Sequence, residues 1–276
     1  MAVNTRFLSP YLMGQRRDGL RRVLDIDTHR WEVIAPESLQ AVQIDDPLLK
    51  LNNMGHLYAL LAARVAAAAR GGGRPVSIAG DCVSSLGMLA GLQQAGRPPE
   101  RVLWLDAHGD FHTWATTQTH YIGGMPLAMF VGRIDAGPDP RNQAVRDCLA
   151  RIGVQACPES RIVLTDARDL DAGEREALLG SRIVRVSLDH VLAQLQPRER
   201  LYVHWDTDVI DDRTRLPALK YHVQQGPSAA DVQELFKALR HYDVVAVSVS
   251  AWHADQDGDD LTARACLAIL NTLVDA

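Results

Sequence analysis

The sequence predicts a single α/β domain spanning residues 1–276, a three-layer α/β/α arrangement around a mostly parallel sheet. Two observations carry this. Short apolar runs alternate with helical stretches along most of the chain, the pattern of a sheet with helices on its faces. The runs are apolar throughout, as expected of strands buried on both sides. No internal repeat, low-complexity tract or composition break divides the chain.

The elements follow in order. Phe7 to Gly14 reads as a first strand and turn. Asn52 to Ala69, dense in alanine and closed by Arg70-Gly71-Gly72-Gly73, predicts a helix with a strong stop. Val76 to Ala79 is a short buried strand and Ser84 to Ala95 the helix after it. Val102 to Leu105 is a strand, Phe111 to Gly124 a long loop ending at Met125-Pro126, and Leu127 to Gly132 a helical stretch. Pro138 to Pro140 mark a surface loop. Arg161 to Leu164 and Ile183 to Val186 read as strands and Leu188 to Leu195 as a helix. Leu201 to Trp205 is a strand, and Ser228 to Leu239 a helix capped by Ser228. Val244 to Val249 is the last strand and Leu261 to Val274 the closing helix.

Composition narrows the function. A net charge of -5 makes no electrostatic case for nucleic acid. No apolar stretch reaches membrane-spanning length. Met1 to Arg6 lacks a signal-peptide core. The four cysteines, Cys82, Cys148, Cys157 and Cys266, show no C-x-x-C spacing. The expectation is a cytoplasmic protein with reduced thiols, acting on a small molecule.

Three segments deliver metal-capable side chains straight out of apolar runs. They are Gly80-Asp81-Cys82, Asp106-Ala107-His108-Gly109-Asp110 and Asp206-Thr207-Asp208. In extended backbone, residues two apart point the same way, so Asp106, His108 and Asp110 are expected to share one side, as are Asp206 and Asp208. In parallel sheets ligands gather at the carboxyl ends of strands, where all three segments fall. Crowded carboxylates repel unless a cation sits among them. A pair of divalent ions is the simplest resident, and an oxygen-rich donor set with a histidine suits Mn²⁺. Such ions activate a water as the nucleophile, so no serine or cysteine nucleophile is required. Taken singly, D-x-D and D-x-H also mark capped or solvated loops; the three together point to a metal-dependent hydrolase.

At these residues the chain resembles the arginase, or ureohydrolase, superfamily over about Val76 to Val249. The family's G-G-D-H, D-A-H-x-D and D-x-D-x-x-D-P segments are similar to Ala79 to Cys82, Asp106 to Asp110 and Asp206 to Asp212, with Asp212 where proline is usual. Arg168 to Glu174 is similar to an R-D-x-D-P-G-E turn, and Asp106 to Pro126 ends in the family's Gly-Met-Pro. The resemblance implies one metal held by Cys82, Asp106, Asp110 and Asp206, and another by Asp106, His108, Asp206 and Asp208. It implies Mn²⁺, two per chain, with iron, cobalt or zinc as alternatives because of Cys82. It implies Asp110 as the group orienting the nucleophile, Asp171, Glu174 and Thr119 as substrate contacts, and a homo-oligomer.

Three departures bear on the reaction. Cys82 replaces a histidine, adding a softer, negatively charged donor and resembling an exchange in an N-hydroxyarginine hydrolase. Gly123 replaces a histidine that assists the leaving group, with His112 and His120 nearby as stand-ins. The last strand has Ala246 where a guanidinium-pairing glutamate is usual. A buried guanidinium without a carboxylate is costly. The expected substrate is therefore a guanidino- or amidino-type small molecule other than plain arginine, such as an N-hydroxyguanidine, a formimino group or an amide. Asp255, Asp257, Asp259 and Asp260 follow in a charged loop that reads as solvated. The alternatives are an impaired protein of this fold that binds metal or metabolite in a regulatory or structural role, and a redox metal enzyme using iron.

Overall fold

A computed structural model describes residues 3–275. Eight parallel strands form one sheet in the order β4-β1-β5-β10-β9-β6-β7-β8. They are β1 (Asn4–Ser9), β4 (Trp31–Val33), β5 (Arg74–Ala79), β6 (Arg101–Asp106), β7 (Ile162–Asp166), β8 (Val184–Arg185), β9 (Arg200–Asp206) and β10 (Asp243–Ser250). A small hairpin, β2 (Tyr11–Leu12) with β3 (Gln15–Arg16), follows β1. The helices are α1 (Val23–Ile26), α2 (Pro47–Arg70), α3 (Ser84–Gln94), α4 (Pro126–Phe130), α5 (Pro140–Ile152), α6 (Ala172–Leu179), α7 (Ala229–Leu239) and α8 (Leu261–Val274).

Strand alternation splits the core in two. Val102, Trp104, Tyr202 and Ala246 face a cluster built with α2, α3 and α5. Leu103, Leu105, Val203, Trp205, Val247 and Val249 face a cluster built with α7 and α8. Helices therefore cover both faces, as the continuous apolar runs predicted. The same parity puts Asp106, His204, Asp206, Ser248 and Ser250 on the α2/α3/α5 face.

Side-chain caps mark the starts of α2, α5, α6 and α7. Asp46 accepts from Leu48 N at 2.9 Å, with Pro47 opening α2. Ser228 and Asp231 form a reciprocal capping box at α7. Two expectations need correction. Leu188 to Leu195 is not a helix but two short 3₁₀ turns, Leu188–His190 and Leu192–Gln194. Pro138 to Pro140 is more than a surface loop, because Asp139 accepts from Arg141 N at 2.8 Å and Pro140 opens α5. The helical stretch after Pro126 ends at Phe130. β4, α1, α5 and α6 had no counterpart in the sequence reading; edge strands and short helices carry too few periodic positions to stand out.

Candidate active site

The carboxyl ends of the four central strands β5, β10, β9 and β6 meet at a cavity of about 290 Å³. It is lined by Met13, Asp81, Cys82, Asp106, His108, Asp110 and His112, by Thr119, Tyr121, Gly123 and Gly124, and by Asp169, Asp171, Glu174, Asp206, Asp208, Lys220 and Tyr221.

The convergence does not come from extended alternation, which is a correction to the sequence reading. β6 ends at Asp106 and β9 at Asp206. Each terminal aspartate then folds the chain back on itself. Asp106 Oδ1 accepts from His108 N at 2.8 Å, and Asp206 Oδ1 accepts from Asp208 N at 3.0 Å. These are turns in which an aspartate side chain captures the amide two residues on. They leave each Oδ2 for the cavity and aim the residue two positions later into it. Asp110 is brought in differently, by a left-handed backbone with φ 52°. Its carbonyl accepts from Leu127 N and Ala128 N at 3.0 and 3.1 Å, which holds that unfavourable conformation in place.

Two donor groups result. Cys82, Asp106, Asp110 and His204 offer ligand atoms within 4.8 Å of one another, and so do Asp106, His108 and Asp208. Asp106 belongs to both. His108 Nδ1 lies 3.3 Å from Asp106 Oδ1 and 3.4 Å from Asp208 Oδ2. Asp206 lines the cavity, but its Oδ2 faces Cys82 Sγ at 2.9 Å and Lys220 Nζ at 3.3 Å. This oxygen- and nitrogen-rich set with one sulfur fits divalent metal ions. Asp110 Oδ2 and His204 Nε2 are buried without hydrogen-bond partners, open valences of the kind a cation fills.

The electrostatics fit an acid-dense pocket. Burial, reinforced by Asp106 and Asp206, holds the Asp110 carboxyl well above its ordinary value. Burial with Asp206 and Asp106 pushes Asp208 up to about 7, and burial pushes Glu174 up to about 7. Burial opposes a charge on His108, but Asp106 and Asp208 outweigh it and push it up to about 12. Burial holds His204 down to about 4, a neutral imidazole. Burial pushes the Cys82 thiol well up, with Asp110 and Asp206 adding to it.

The remaining expected residues fall in different places. His112 lines the cavity, with Nε2 3.2 Å from Asp171 Oδ2 and Nδ1 3.1 Å from Thr116 Oγ1. His120 is exposed, outside the cavity lining, with its ring centroid 6.4 Å from that of Trp114 in a tilted arrangement. Thr119 lines the cavity, and its Oγ1 accepts from Tyr121 N at 3.3 Å. Asp171 and Glu174 both line it while serving the scaffold. Asp171 caps α6 by accepting from Glu174 N at 3.1 Å. Glu174 Oε1 accepts from Phe111 N at 2.8 Å, and its carboxylate packs where a side chain on Gly109 would stand. The acidic loop stays away: Asp257 caps α8 and Asp260 pairs with Arg22.

The sequence reading missed Lys220, Tyr121, Tyr221 and His204. Lys220 Nζ donates to Ser250 Oγ at 2.7 Å, and its side chain is 8% exposed. Burial opposes its charge, but Asp206 outweighs it and holds the ammonium well above its ordinary pKa. Its signal was compositional: Lys50, Lys220 and Lys237 are the lysines among 29 basic residues. Tyr121 folds its ring over Gly123, so that a Cβ there would overlap it. His204 was legible in principle, two positions before Asp206 on the same strand face.

The arginase family's sequence profile matches residues 14–274. The chain belongs to the arginase family. The chain is 30% identical over 207 residues to an N(omega)-hydroxy-L-arginine amidinohydrolase from Streptomyces lavendulae, covering 72% of this chain and 69% of that one. It is 33% identical over 133 residues to an arginase from Glaciozyma antarctica, 48% of this chain and 36% of that protein. The arginase structures of Entamoeba histolytica and Bacillus caldovelox superpose with TM-scores of 0.80 each at 18% and 22% identity. The first match covers 100% of both chains, the second 100% of this chain and 99% of the other. These structures share its fold, and the chain is a hydrolase of this family. Among the described residues no helix is long and apolar enough to cross a membrane.

Proposed function

We propose that this protein hydrolyses a C–N bond in a guanidino- or amidino-type small molecule of low basicity, using a binuclear centre of divalent ions. Cys82, Asp106, Asp110 and Asp206 would hold one ion, and Asp106, His108, Asp206 and Asp208 the other, with Mn²⁺ as the expected metal. When bound, the ions supply Lewis acidity and bring a water's pKa toward neutrality.

The chain's own groups do the rest. Asp110, with one carboxylate oxygen unpartnered, orients the attacking water and accepts its proton. His112 lies on the cavity wall with burial holding it below its ordinary pKa and Asp171 opposing; it is the candidate to relay a proton to the departing amine. Asp171 and Thr119 offer hydrogen-bond acceptors to the far end of a substrate.

The observation that carries the substrate class is Lys220. Its ammonium projects into the cavity beside Ser250, at the end of a strand whose inward positions are Ala246, Ser248 and Ser250. A guanidinium there meets a buried positive charge and no strand carboxylate. A less basic group such as an N-hydroxyguanidine or a formimino group, or an uncharged amide, meets hydroxyls and one fixed cation. The similarity to a hydroxyarginine amidinohydrolase supports the same class.

The test is a substrate panel with and without Mn²⁺, reading urea, hydroxyurea, ammonia and formamide. Faster turnover of arginine than of its less basic analogues would overturn the substrate class. Lys220 also favours a second reading, in which the ammonium takes a cation's place and the protein binds metal or metabolite without turnover. Absence of product across the whole panel, unrelieved by Cys82→His, would favour that reading.

A further inference from the structure

His204 stands on β9 between Trp104, whose ring centroid is 4.0 Å away, and Ser248 on β10. It is fully buried. Its Nδ1 lies 2.7 Å from Ser248 Oγ, which in turn lies 2.5 Å from Tyr202 OH. Its Nε2 is buried and has no hydrogen-bond partner. A buried polar nitrogen left unpaired is destabilising, so such groups call for an explanation. One is at hand: a ring nitrogen of His204 lies within 4.8 Å of ligand atoms from Cys82, Asp106 and Asp110.

We infer that His204 is itself a metal ligand, completing a Cys82, Asp106, Asp110 and His204 set for a borderline divalent cation such as Co²⁺ or Zn²⁺. The inference rests on the binuclear reading above and departs from it in which side chains hold the cysteine-associated ion. Without His204 that ion is held by one thiolate and carboxylates alone. With it, a neutral imidazole enters and four donors of mixed softness surround the ion, an arrangement that suits four-coordinate borderline metals. The hydrogen-bond chain supports the assignment. With Nδ1–H donating to Ser248 Oγ, Nε2 presents its lone pair, as in histidine ligands fixed by a partner on the other ring nitrogen. Asp206 is then left to the second ion and to Lys220, whose ammonium engages its Oδ2. The histidine absent at position 82 is replaced from β9, two strands away in the sheet, rather than lost.

Metal-free full-length protein titrated with Co²⁺ tests this, since a thiolate-to-cobalt absorption band in the near ultraviolet reports the cysteine-associated ion directly. His204→Gln should weaken that ion about tenfold or more and shift its visible bands, and Ser248→Ala should weaken it about 10–100-fold through the lost Nδ1 partner. Cys82→Ser should abolish the band. A His204→Gln protein that folds, by circular dichroism, and keeps the wild-type band and affinity would overturn the inference. If that variant fails to fold, X-ray absorption on cobalt-loaded His108→Gln protein decides: sulfur plus one imidazole supports the assignment, and sulfur without imidazole refutes it. Hydrolysis by the wild type with a His204-independent band would sink this inference alone. A His204-dependent band with no C–N product would sink the catalytic reading and leave the ligand set standing.

Discussion

Lys220 Nζ lies 3.3 Å from Asp206 Oδ2 in a cavity whose other charged groups are mostly acids. The pair places a permanent cation where a metal's charge is otherwise needed, so Lys220 and the metal ions compete to neutralise the same carboxylate. Lys220→Met should therefore destabilise the metal-free protein by about 3–5 kcal/mol, the usual consequence of removing one partner of a buried pair. Saturating Mn²⁺ or Co²⁺ should restore much of it. Thermal denaturation with and without metal measures both, and a variant as stable as the wild type without metal would show that the pair carries no charge compensation.

The carboxyl groups of Asp208 and Glu174 are each pushed up to about 7 by burial, so the metal-free cavity holds protons near neutrality. Metal must displace the proton on Asp208 and that on His108, and its charge nearby favours loss of the one on Glu174. Affinity should rise from about pH 6 to about pH 8 by up to about tenfold per unit for each proton released. Calorimetry in buffers of different ionisation enthalpy reads the proton count, and pH-independent affinity would contradict it.

Stability without metal should run the other way. Glu174 moves from an ordinary 4.5 to about 7 on folding, so its folded pKa is raised. Its contribution is complete below the unfolded value and is lost as pH rises through the folded one. Chelator-treated protein should therefore lose stability from this group between those two values, and Glu174→Gln should flatten that part of the profile. Urea denaturation at several pH values checks the slope.

Glu174 also ties the loop that carries Asp110. Its Oε1 accepts a hydrogen bond from Phe111 N at 2.8 Å. Glu174→Ala leaves that buried N–H unpaired and should cost about 1–3 kcal/mol, while Glu174→Gln retains an acceptor and should cost less. Equal losses in the two variants would mean that the hydrogen bond is not what holds the loop.

Tyr121 and Gly123 share one space, since a Cβ on Gly123 overlaps the Tyr121 ring. Gly123→Ala should cost about 1–3 kcal/mol through overpacking unless the ring swings away. In a Tyr121→Ala background the same change should cost less. A double-mutant cycle on thermal stability measures the coupling, and strict additivity would mean the two side chains do not compete. A histidine restored at position 123 accordingly needs Tyr121 displaced before it can reach a substrate.

Legibility followed the range of the cause. Helix α8 was read at its full extent and Ser228 was recognised as a cap, because caps and apolar periodicity act over a few residues. The aspartates of the site were visible because each leaves an apolar strand. The reason they converge was not: they use side-chain-to-amide turns at Asp106 and Asp206 and a left-handed Asp110, where sequence reasoning assumed strand alternation.

By itself, then, the sequence determined the layered α/β architecture, the family and the acidic residues at the strand ends, since periodicity, caps and short motifs are local. Only the tertiary structure decided that Lys220 from a loop and His204 from within a strand join those acids. Their placement depends on which strands lie side by side, and β5, β10, β9 and β6 are neighbours in the sheet though far apart along the chain.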